Sequence, residues 1–175
     1  MADTTILPLA QALLDCLTTE LALNPDPPAN ACLRAGNQVI HDIDAGISAD
    51  KVCCPGLNYV RIGQVFPSTD FPQPDTRSDK CLSLTRAVEF TAGVVRCVPR
   101  MGTPEGPTCV DWTTAATHDA NDIDALYKAA CCFVETSAFK AMRGRRYTIQ
   151  TSTVEQTADC IERMMLILVE VRRCC

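Results

Sequence analysis

The sequence predicts an α+β domain with helices packed on an antiparallel or mixed β-sheet. Three observations predict it. Apolar residues recur three and four apart in two separate stretches, one near the start and one in the 120s and 130s. β-branched and aromatic runs fill residues 57–67 and 86–98 and return after residue 146. The resulting order is helix, two or three strands, helix, two strands, which is that of an α+β domain. With 175 residues, 47% of them hydrophobic, the chain can bury a sizeable core, and residues 1–175 are read as a single domain.

The first helix is carried by Ile6, Ala10, Leu13, Leu17 and Leu21, with Leu9 and Leu14 widening the stripe. Thr4 or Thr5 can cap it, Pro8 lies near enough to the start to be tolerated, and Asn24-Pro25 stops it. A proline-rich turn, NPDPPAN, leads into a short segment, ACLRAG. Residues 37–56 carry loop signals. Their acidic cluster, Asp42, Asp44 and Asp50, lacks the fixed ligand positions and closing glutamate of an EF-hand and reads as a solvated loop.

In LNYVRIGQVFPS, Tyr59, Val60, Ile62, Val65 and Phe66 give strand composition, and Pro67 ends it. A proline-punctuated connection, PSTDFPQPDTRSDK, precedes the clearest strand, RAVEFTAGVVRCVPR. Val88, Phe90, Ala92, Val94 and Val98 fall on one of its faces, Glu89 and Thr91 on the other, and Gly93 marks a bulge or a close backbone approach. Helical periodicity then returns through Ile123, Leu126, Ala130, Phe133 and Val134, with Asp119, Asn121 or Asp122 as the cap. The adjacent Cys131 and Cys132 lie in this helix, where neighbouring side chains diverge by about 100°, so one of the two faces the core. A second short helical stretch, SAFKAMRG, ends at Gly144. The closing CIERMMLILVEVRR fits a helix by period. Its β-branched ILVEV and the preceding RRYTIQTST favour two strands, at 146–154 and 161–172.

Charge and cysteine usage exclude several classes of function. A net charge of -5 gives no overall attraction to nucleic acid or anionic lipid. The cluster Lys140, Arg143, Arg145 and Arg146 offers a DNA contact or, more simply, a solvated turn or subunit contact. The N-terminal stretch has no basic region and keeps Asp3, Asp15 and Glu20, so it is not read as a signal peptide, and no apolar run reaches the roughly 20 residues a bilayer needs. The expectation is a soluble protein made in the cytosol, with no membrane partner. The 12 cysteines include three adjacent pairs but no Cys-x2-Cys, and the two histidines, His41 and His118, lie far apart, so structural zinc is disfavoured and no metal or cofactor is expected. A thiolate nucleophile needs a neighbouring base, and neither histidine sits in a recognisable motif. The simplest reading of the cysteines is as small buried hydrophobes, and the chain is read as no enzyme.

The order of segments, together with TTILPLAQALLDCL, CLRAG, YVRIGQVFPSTDFP, RAVEFTAGVVRCVP, AACCFV and YTIQTSTVEQTADCIERMMLILVEV, resembles the tail terminator proteins of long-tailed phages, in the cysteine-rich form found in phages of actinobacteria. The likeness spans nearly the whole chain as a pattern of element order and phrases, without one diagnostic motif. It implies a virion protein at the tail–neck junction, assembled in the host cytoplasm: a homo-hexameric ring that caps the tail tube, ends its polymerisation and offers the head–tail joining surface. The implied partners are copies of itself, the major tail tube protein and head-closure or neck proteins, and the ring would enclose the DNA channel without sequence-specific DNA binding. Candidate contact loops are Asp42 to Asp50, Ser68 to Lys80 (with Asp70) and Arg143 to Arg146. A virion folds in a reducing cytosol and later meets oxidising medium, so Cys174 and Cys175 are candidates to cross-link then with a neighbour, or with Cys160 or Cys32. The competing readings are another head–tail connector component, such as a head-closure or tail-completion protein, a small cysteine- or zinc-dependent enzyme, and a secreted disulfide-rich binding protein, which would call for an export signal.

Overall fold

The computed structural model describes residues 5–35, 56–75, 85–99, 106–142, 146–150, 153–157 and 160–172. Helix α1 (Ile6–Leu21) follows the leucine stripe directly: Leu9, Ala10, Leu13, Leu14, Cys16, Leu17 and Leu21 are buried, Thr5 occupies the N-cap position, and Pro8 sits in the first turn, where a missing N–H costs nothing. The ACLRA stretch lies in a strand, β1 (Asn30–Ala35), followed by β2 (Leu57–Pro67) and β3 (Thr85–Cys97). A long helix α2 (Cys109–Glu135) and a single turn α3 (Ser137–Lys140) come next, then β4 (Tyr147–Ile149), β5 (Thr153–Thr157) and β6 (Cys160–Arg172).

The strands form one six-stranded sheet in the order β1-β2-β3-β6-β4, with β5 also paired to β6. β1 runs parallel to β2 and every other pairing is antiparallel, so the sheet is mixed and the α+β class stands. Side chains alternate across it. One face, with Val60, Val88, Phe90, Ala92, Val94, Met165, Ile167, Val169 and Val171, packs against α1 and α2 in the main core. Phe90, Phe133, Phe139 and Tyr147 run edge to face from β3 through α2 and α3 to β4, at centroid spacings of 6.4, 5.2 and 5.6 Å. The other face carries a smaller cluster of Leu57, Tyr59, Val95 and Cys160.

Several expectations hold and several are corrected. CIERMMLILVEVR is strand: its thirteen residues, β6, pair with β3 in unbroken register from Cys97↔Cys160 to Thr85↔Arg172. Gly93 is the close approach rather than a bulge, since a Cβ there would run into the Tyr59 ring from the neighbouring strand. The β2–β3 register does shift, but between Ile62 and Val65. Val98 lies just past the end of β3, not on its inner row. The expected strand at 146–154 is two short strands, both on β6.

The cap of the second helix is also corrected. Asp119, Asn121 and Asp122 lie inside α2, whose N-cap is Thr108, eleven residues before Asp119: the Thr108 side chain accepts from Asp111 N while the Asp111 carboxylate accepts from Thr108 N. The physical reason is that residues 109–114 are all exposed. This end of α2 overhangs the core, and apolar periodicity reports burial, not helicity.

The cysteines depart from the thiol reading too. Cys132, on the inner side of α2 as expected for one of the adjacent pair, is disulfide-bonded to Cys16 of α1, while Cys131 points outward as a free thiol.

Candidate functional site

Two features outside the core combine charge with open surface. The first is a cleft of about 680 Å³ between the overhanging start of α2 and the ends of β3 and β6. Alternation puts Arg96 of β3 and Arg163 of β6 on the helix side of the sheet, and α2 sets Asp119 and Asp122 three residues apart, so both carboxylates face the strands. Arg96 binds Asp122 through two bonds, Nε to Oδ2 at 2.5 Å and Nη2 to Oδ1 at 2.8 Å. Arg163 makes the same fork with Asp119, Nε to Oδ1 at 2.7 Å and Nη2 to Oδ2. Asp26 lies within 3.4 Å of Arg96 Nη1 and 3.3 Å of His118 Nδ1. Burial works against the Arg96 charge, but bonding to Asp122 and the fields of Asp122 and Asp26 outweigh it and hold the guanidinium above its ordinary pKa. These forks clamp the helix to the sheet. Trp112, which lines the cleft, and Val110, close by on α2, stand exposed.

The second feature is the pair of sheet margins, seen from the face away from the helices. At one margin Arg34 of β1 and Arg61 of β2 are register partners. Arg61 Nη2 donates to Thr91 Oγ1 at 3.2 Å, yet Arg34 Nη1 and Arg61 Nε are buried without a hydrogen-bond partner. At the other margin Glu155 of β5 is the register partner of Glu162 of β6. Glu162 accepts from the buried Tyr59 hydroxyl, whose pKa is raised first by burial and then by that bond and the neighbouring carboxylate. Glu155 is exposed.

The sequence-predicted contact residues are partly brought together. Arg146 binds the buried Glu170 through two bonds, at 2.9 and 2.7 Å, and lies 5.6 Å from the Phe71 ring centroid. Its pKa is raised by that bonding and by the fields of Glu170 and Asp70, so Asp70 and Arg146 share one neighbourhood at the edge of the 67–75 turn. Within that turn Gln73 N donates to Asp70 O at 2.9 Å and Thr69 N to Asp75 Oδ1 at 2.9 Å. Asp42, Asp44, Asp50, Arg143, Arg145, Cys174 and Cys175 lie outside the described residues. Cys32 is a free thiol with its pKa raised by burial, and Cys160 is disulfide-bonded. Among the described residues no three His, Cys, Asp or Glu side chains group to hold a metal ion, and no helix is long and apolar enough to cross a membrane.

Arg96, Asp122, Arg163 and Asp119 were not singled out as a group from the sequence. The partners are 26 and 44 residues apart, and only the three-residue spacing of the two aspartates on one helix face hinted at a shared role. No protein-family model matches the chain, and no curated protein matches it in sequence.

Proposed function

We propose that the chain is a structural subunit of a phage tail, which assembles side by side with its own copies into a ring, caps the tail tube and presents a joining surface to the neck. The observation that carries this reading is a sheet bounded by β1 on one side and by β4 and β5 on the other, with no further strand on either outer edge among the described residues. Unpaired edges are templates for another chain, and two different edges on one subunit suit a repeating head-to-tail contact, which closes into a ring when the rotation per subunit allows. The exposed start of α2, with Val110 and Trp112, supplies a separate surface for the tube or a neck protein. This reading gives the chain no catalytic role.

Electron microscopy of the purified protein tests it, with a hollow ring as the expected particle. In the phage, deletion of the gene should give overlong tails. Tails of normal length, or a protein that stays monomeric at high concentration, would overturn the reading.

A further inference from the structure

We infer that the two sheet margins are the complementary halves of one contact between copies: Arg34, beside Arg61 on one subunit, receives the exposed Glu155 of the next. The inference rests on the self-assembly reading above and names the surface that performs it.

Each margin is electrostatically incomplete by itself. Like charges directly opposite on neighbouring strands repel, and both margins hold such a pair, Arg34 against Arg61 and Glu155 against Glu162. Arg34 and Arg61 are each partly exposed, and their buried Nη1 and Nε lack acceptors, so a carboxylate brought to this margin would supply a counter-charge. Glu155 stands exposed beside a second carboxylate, and a cation there would relieve the repulsion.

Direction suits such a contact, and a slide along the strands supplies the register. β1 is parallel to β2, and the pairings β2–β3, β3–β6 and β6–β5 are antiparallel, so β1 and β5 run in opposite senses. A copy moved sideways without turning therefore brings its β1 antiparallel to β5, the more stable ladder. Arg34 lies level with Thr91 of β3 and Glu155 level with Val95, so the copy must also slide by four residues, about 13 Å, along the strands to set the two opposite each other. An even offset keeps both side chains on the same face. Pairing a margin with its own copy would instead set like charges together, so the charges select the head-to-tail contact over a two-fold dimer.

Charge exchange tests this. Arg34→Glu and Glu155→Arg are made separately and studied by sedimentation velocity and electron microscopy beside the wild type. Alone, each variant places like charges across the contact and should lose about tenfold or more in association. Mixed one to one, they should assemble again, because alternating copies restore opposite charges at every contact, and that recovery also shows that both variants are folded. If the wild type forms rings and the Glu155→Arg protein forms them equally well, or the mixture does not recover, the margin contact is wrong while the ring reading stands. If the wild type stays monomeric throughout, both fall.

Discussion

Asp122 and Asp124 differ by two positions on α2 and by most of what decides the worth of an ion pair. Asp122 meets Arg96 where the two side chains are only 4% and 11% exposed. Lys128 and Asp124 pair at 2.7 Å with both more than half exposed. Removing one partner of a buried pair strands the other charge, at a cost of about 3–5 kcal/mol, whereas an exposed i,i+4 pair contributes roughly 0.3–0.5 kcal/mol. Asp122→Ala should therefore lower unfolding stability by about 3 kcal/mol, the low end, because Asp26 remains 3.4 Å from Arg96. Asp124→Ala should change it by less than about 0.5 kcal/mol. Denaturant titration separates the two, and equal effects would mean that the buried fork holds nothing. Gly93 invites a second substitution. A methyl group there would strike the Tyr59 ring, so Gly93→Ala should destabilise by about 1–3 kcal/mol through overpacking. Adding Tyr59→Ala should make the pair less costly than the sum of the single changes, as a double-mutant cycle would show.

At the scale of elements, α2 shows what a sequence can and cannot disclose. Its second half was legible because Leu126, Ala130 and Phe133 must reach the core, and α1, β3 and β6 were legible for the same reason. The first half has no core to reach, so its signal was the Thr108-x-x-Asp111 cap alone. β1 is a short margin strand, too brief to show a period. The Cys16–Cys132 bond was hidden by number: 12 cysteines allow many pairings, and only the inward position of each on its own helix pointed to it. The bond closes a separation of 116 residues, so replacing both cysteines with alanine should cost roughly 2–5 kcal/mol, measured against the oxidised wild type by thermal or denaturant unfolding. Equal stability of the two would show that core packing alone fixes α1 on α2.

The overhang predicts a local pH response as well. Bonds from the Thr108 backbone and hydroxyl hold the Asp111 carboxylate below its ordinary pKa. The stabilisation is thus complete above the ordinary carboxylate value and is lost as pH falls through the lowered one. Carbon chemical shifts of residues 108–112 should show this turn unwinding in acid while the rest of α2 persists, and Thr108→Ala should reproduce the unwinding at neutral pH.

For the whole molecule, two electrostatic effects of different range oppose each other. Each copy carries a net charge of -5, which repels neighbours over long distances. Arg34 and Glu155 of neighbouring copies attract only at contact. Salt shortens the range of both, from about 30 Å at ~0.01 M to about 8 Å at ~0.15 M and about 3 Å at ~1 M. The first increase removes mainly the long-range repulsion between whole subunits, and the second reaches the contact itself. Self-association should accordingly strengthen from the lowest salt to the intermediate one and weaken at the highest, while far-UV circular dichroism stays constant. Association that rises steadily to ~1 M would transfer the contact from charge to apolar surface, with Trp112 and Val110 at the exposed start of α2 the first residues to substitute.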